Sequence, residues 1–140
     1  MADRRPAGGR VAAAGSWSTV PARLGIGLAA GAAIVYVDNR AFEGEVSPIV
    51  IVAMLLAATA TAGAVWGRRG WVSTAAAWAC VPGAHLLKQA LGLPDTLHPN
   101  TYRSILYLAV FTLIVAAIGT VVGIVLRRLT TGTAARADDA

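Results

Sequence analysis

What the chain lacks narrows its class first. Charged side chains make up only 14% of its 140 residues, against about 25% in ordinary soluble domains. A chain this poor in charge and 56% hydrophobic has too little polar surface to cover itself. Much of its exterior must face an apolar medium, and the bilayer is that medium. Acidic residues are scarcer than basic ones: seven Asp and Glu against twelve Lys and Arg leave a net charge of +5. This excess does not point to nucleic acid, because the arginines fall in short groups between apolar runs and not on one soluble face. The single cysteine, Cys80, excludes an intrachain disulfide and a cysteine cage for a metal. Only His85 of the two histidines sits in an apolar run, so a haem held by two histidines at similar depth has no second ligand. Phosphate-binding GxxxxGK[ST], HExxH, CxxC and GxSxG patterns are missing. The stretch "GIGLAAG" at 25–31 lies inside an apolar run with no strand before it, so it does not read as a dinucleotide loop. No catalytic residue, metal ligand or cofactor is assigned.

What the chain does have is four apolar stretches with cores at Leu24–Val37, Ile49–Trp66, Trp71 to Leu91 and Ile105–Leu126. A helix needs roughly 20 residues to cross a bilayer. With their flanks the stretches predict spans at about 21–38, 48–67, 70–91 and 102–127 within one domain, 20–128. The first is the shortest, and Val20–Arg23 lengthens it with Arg23 as a snorkelling end. Arg4, Arg5 and Arg10 before it give it the outline of a signal peptide. It ends at "YVDNR", however, a poor cleavage site, and is read as a retained helix. The tails, 1–19 and 129–140, are too poor in apolar residues to offset the entropy of ordering and are expected to be disordered.

Orientation follows from the arginines. Arg4, Arg5, Arg10 and Arg23 precede the first span, Arg68 and Arg69 occupy the turn "WGRRGW", and Arg127, Arg128 and Arg136 follow the fourth. Positive charge marks the cytoplasmic side, so both termini and the 68–69 turn are expected there, in the inner (plasma) membrane. The loops 38–48 and 92–104 then face outward, carrying Asp38, Glu43, Glu45 and Asp95 with Arg40, Lys88 and Arg103 near them. Trp66 and Trp71 flank the inner turn, and Tyr36, Tyr102 and Tyr107 lie at the outer ends, the headgroup level that amphipathic rings prefer. Ser47 before Pro48, and Asn100 or Thr101, are candidate caps for the second and fourth helices. The expected fold is all-α: an integral membrane four-helix bundle, up-down-up-down.

In lipid, helices associate through close backbone approach and hydrogen bonds. Small residues recur at the required spacing of four: Gly27 and Gly31, Gly63 and Gly67, Ala75, Ala79 and Gly83, Gly119 and Gly123. They read either as packing inside one bundle or as an interface for a homodimer or larger membrane complex. Thr59, Thr61, Thr112 and Thr120 are expected to bond back to their own helices.

The third span turns polar in its outer half, "CVPGAHLLKQALG" at 80–92. At about 100° per residue, His85, Lys88 and Gln89 share one face with Trp78 and Pro82, opposite Leu86, Leu87, Ala90 and Leu91. Pro82 removes a backbone donor and, with Gly83 beside it, predicts a kink. His85 lies about 21 Å along the axis from Trp71. Ionisable groups at such depth are functional candidates, and imidazole titrates near physiological pH. Asp38, His85, Lys88 and Gln89 therefore form a candidate outward-facing polar pocket. The alternative is a helix end, with His85 bonded to a neighbour and "LGLPDTLHP" as loop.

In length and helix count the chain resembles the small multidrug-resistance-type transporters, dimers built around a membrane-embedded glutamate in the first helix. It departs there, since its first span has no carboxylate before Asp38, and no site carries over. The sequence thus favours a non-enzymatic accessory or assembly protein acting through helix–helix contacts. A small-solute or ion transporter using the His85 pocket, or a membrane enzyme at the outer surface, are the alternatives. The bilayer is the expected partner.

Overall fold

The computed structural model describes residues 19–40, 48–95, 97–99 and 101–137, with side chains described as far as residue 131. The N-terminal tail up to residue 18, Glu43, Glu45, Ser47 and Asn100 lie outside the described residues. Among the described residues the chain is helical and has no strand: α1 spans Val20–Arg40, α2 Pro48–Trp66, α3 Trp71–Leu91 and α4 Tyr102–Ala137. Three uninterrupted helical stretches are long and apolar enough to cross a membrane, Val20–Arg40, Pro48–Leu91 and Tyr102–Thr131. They suggest a membrane-embedded, multi-pass protein. The sequence reading separates 48–67 from 70–91. Here no loop separates the two: α2 passes into α3 through Gly67–Gly70, which coils into a 3-10 turn, so that helical backbone is continuous from Pro48 to Leu91 although it is not one straight helix.

The ends follow local chemistry. Pro48 occupies the first position of α2, where its missing N–H costs nothing. Thr101 caps α4, its hydroxyl accepting from the Ser104 N–H at 3.2 Å. α3 closes at Gly92, whose φ of +65° lets the Gly92 and Leu93 amides return to the Gln89 and Lys88 carbonyls. Pro82 lies inside α3, which continues unbroken past it, and a Cβ on Gly83 would meet open space. α4 runs on to Ala137, into the stretch read from sequence as an unfolded tail.

α2 packs most extensively on α4, and α1 on α3. α3 also lies along α4, while α1 and α2 touch little. Gly27 sits against the Ser73 backbone and Ala76, and Gly31 against Cys80 and Ala77. Gly63 meets the Thr120 carbonyl, Gly119 meets Thr59 and Leu56, and Gly123 meets Ala60. These five glycines allow the backbone approach that replaces apolar burial as the cohesive force in lipid. Gly67 differs. Its φ of +57° places it in the turn, beside the Arg127 guanidinium, so it serves the chain path and not helix packing.

The core is a small cluster of Ile34, Leu55, Val81, Val115 and Ala116, with Trp78 and Leu108 packed against it. Hydroxyls within it bond to backbone or to each other. Thr59 donates to the Leu55 carbonyl at 2.8 Å, Thr112 to Leu108 at 2.7 Å, and Thr120 to Ala116 at 2.9 Å. Thr74 and Thr120 share a hydrogen bond of 2.7 Å between α3 and α4, and Trp78 Nε1 donates to the Ala109 carbonyl at 3.0 Å.

Candidate functional site

The polar face of α3 and the last turn of α1 converge at the end of the molecule opposite the Gly67–Gly70 turn. Asp38 belongs to the last turn of α1, and His85 and Lys88 to the last two turns of α3. Gly92 then reverses the chain, and Asp95 folds back over α3 until its side chain is only 1% exposed.

Asp95 is the hub. His85 Nδ1 lies 2.8 Å from both Asp95 carboxylate oxygens, and Lys88 Nζ donates to Oδ1 at 3.1 Å. An ionised carboxylate only accepts, so the Nδ1 atom carries the proton. The second ring nitrogen, Nε2, faces Asp38 Oδ2 at 3.9 Å. His85 is thus bracketed by two carboxylates, one in close hydrogen-bond contact and one a little beyond it. Burial by itself pushes the Asp95 carboxyl up. The hydrogen bonds and positive charge of His85 and Lys88 outweigh that and hold it below the usual carboxylate range.

Of the residues that the sequence places in this pocket, the structure gathers Asp38 and Lys88 around His85 and Asp95, while Gln89, next along α3, is half-buried. Asp95, read from sequence as one of several loop charges, is the residue that organises the cluster. The signal for it is the Gly92 chain reversal followed by Pro94: a left-handed glycine at a helix end turns the next residues back across the final turn. Among the described residues no set of three His, Cys, Asp or Glu side chains is arranged to hold a metal ion.

At the other end the basic residues anchor loops and helix ends. Arg127 donates to the Val65 carbonyl at 2.8 Å and Arg23 to the Arg69 carbonyl at 3.4 Å, while Arg68 and Arg69 are exposed in the turn. At the Asp95 end, Arg40 stacks on Tyr36 and Arg103 on Tyr107, each one helical turn apart, with Arg–Tyr hydrogen bonds of 3.1 Å.

No protein-family model matches the chain, no curated protein matches it, and no solved structure matches it.

Proposed function

We propose that the chain is a four-span inner-membrane protein with both termini cytoplasmic, acting as a non-enzymatic accessory or assembly component through its helix surfaces. Contact order supports four crossings in place of three. Leu56, Ala60 and Ala64 of α2 meet Gly119 and Gly123 of α4 in rising order, whereas Thr74 and Trp78 of α3 meet Thr120 and Ala109 in falling order. α2 and α3 therefore run in opposite senses along α4, and the Arg68–Arg69 turn is the reversal. As one straight rod, the 44 residues of Pro48–Leu91 would be about twice as long as a roughly 30 Å core is thick. Arg23, Arg68, Arg69 and Arg127 gather at the turn end, which favours placing that end in the cytosol.

The observation carrying the functional reading is the mutual engagement of Asp95, His85 and Lys88. The ionisable groups at membrane depth clamp the 92–95 segment onto α3. What remains for a partner is apolar surface, widest on α4, where Leu106, Val110, Phe111, Ile114 and Val121 are exposed. The five packed glycines are engaged within the chain, so a partner would meet this α4 face and not those stripes. Photo-crosslinkers at Val110 and Ile114 test this. One reproducible protein adduct on that face supports the reading, and lipid adducts alone contradict it.

A second reading rests on one feature, the 3.9 Å separation between His85 Nε2 and an Asp38 side chain that is 22% exposed. A proton or small cation entering there would make the cluster an outward-facing transport site. His85→Ala with unchanged fold and unchanged uptake or proton flux in vesicles would eliminate it.

A further inference from the structure

The turn end carries a second arrangement, separate from the Asp95 cluster. Because α1 and α2 touch little, a half-enclosed groove of about 200 Å³ opens between them, floored by α3. Its walls include Ile26, Ala30, Ala58, Ala62, Trp66 and Ala77. The Thr59 and Thr74 hydroxyls that border it are already bonded to Leu55 and Thr120, so the surface presented is effectively apolar. It exceeds the ~150 Å³ apolar cavity that suffices to hold a benzene-sized ligand.

Arg23 lies about one turn of α1 before the groove-lining Ile26, on the side of the Gly67–Gly70 turn. On the α1 wheel it heads the buried stripe Arg23, Gly27, Gly31 and Ile34. The groove-lining Ala30 and Ile26 fall about 20° and 60° to one side of it, so Arg23 sits on the arc of α1 between the α3 contact and the groove side. It is only 6% exposed. Its guanidinium makes one long hydrogen bond, 3.4 Å to the Arg69 carbonyl, and its Nε is buried with no partner. A buried guanidinium has five donors and a charge to satisfy. Arg68 and Arg69 add exposed positive charge in the adjoining turn.

We propose that Arg23 and the groove form a binding site for an anionic phospholipid, its phosphate taken by the Arg23 guanidinium and one acyl chain lying between α1 and α2. This rests on the membrane-spanning reading. A buried guanidinium with an unpartnered Nε, about one helical turn from an apolar slot on the same helix, offers a group for each part of such a lipid. A free phosphate would use only the first part and a zwitterionic lipid only the second.

The full-length chain in mild detergent would be titrated with dioleoyl phosphatidylglycerol, dioleoyl phosphatidylcholine and inorganic phosphate, with bound species resolved by native mass spectrometry. Phosphatidylglycerol is expected to bind about tenfold more tightly than phosphatidylcholine, the scale of a charge-assisted hydrogen-bonded contact. Arg23→Gln brings the two lipids level, Ala58→Leu in the groove weakens both, and Arg128→Gln leaves the preference intact. Equal binding of the two lipids by the native chain overturns the proposal. So does a preference that survives Arg23→Gln, or phosphate binding as tight as lipid binding and insensitive to Ala58→Leu. Should Arg23→Gln not fold, Ala58→Leu decides alone: undiminished phosphatidylglycerol binding overturns the site. Failure of the chain to float with phosphatidylglycerol–phosphatidylcholine vesicles would instead defeat the membrane reading itself.

Discussion

Removing the Asp95 carboxylate is the perturbation with the largest calculable effect at the cluster. Asp95→Ala removes the acceptor that His85 Nδ1 and Lys88 Nζ share, at 2.8 and 3.1 Å. Breaking a buried pair by deleting one partner costs about 3–5 kcal/mol when both groups are fully desolvated. The Lys88 side chain is 13% exposed and near a helix end, so it recovers part of that by reaching water, and about 2–3 kcal/mol is the expected loss. Asp95→Asn keeps one acceptor and the side-chain volume, so it should lose less. The coupling of Asp38 to His85 should be well under 1 kcal/mol, since that contact is 3.9 Å and partly solvated. Reversible unfolding in mixed micelles, followed by tryptophan fluorescence, measures the losses. Double-mutant cycles pairing His85 with Asp95 and with Asp38 then isolate the couplings. If Asp95→Ala unfolds within 0.5 kcal/mol of the native chain (about the scatter of neutral surface changes), the clamp is not a stabilising element and the reasoning fails.

The same carboxylate sets a pH dependence. Its folded-state value is lowered, so its contribution is complete above the ordinary unfolded value of about 3.9 and disappears as pH falls through the lower folded one. Acid unfolding of the native chain should show that limb and Asp95→Asn should lack it. Gly123→Ala would drive a Cβ into the Ala60 carbonyl and should destabilise by about 1–3 kcal/mol. Gly25→Ala meets nothing within 4 Å and should be neutral or stabilising by up to about 1 kcal/mol. The same micelle assay would show equal costs at the two sites if the tight α2–α4 approach were wrong. Thr74→Val removes the hydrogen bond joining α3 to α4 and should cost about 0.6 kcal/mol, the usual size for such bonds in membranes.

Much of this was legible from residue types alone. The glycine pairs at 27 and 31, and at 119 and 123, announce close helix approach, and the structure puts backbone or small side chains against each of them. The polar face of the third span marks His85 and Lys88 as neighbours, because the 3.6-residue period is independent of the partners it meets, and Asp38 joins them from the outer end of the first span. Asp95 was not legible in the same way. Its place depends on a left-handed glycine and a short loop folding back, a tertiary outcome that periodicity does not encode. Gly67 misleads for a related reason: spacing four from Gly63 suggests packing, while the turn takes it for its positive φ. Arg23 reads in sequence as a snorkelling end, yet the packing of α1 on α3 buries it, which no single-helix pattern shows.

The central claim is that the Arg68–Arg69 turn reverses the chain within the thickness of a membrane. In a Cys80→Ser background, single cysteines at Arg68 and at Leu97 would be exposed on intact cells to a membrane-impermeant maleimide. The account predicts labelling at 97, none at 68 until the membrane is opened, and both termini on the same side as 68. Labelling of 68 from outside, or termini found on opposite sides, would mean that Pro48–Leu91 crosses once and the four-span arrangement is wrong.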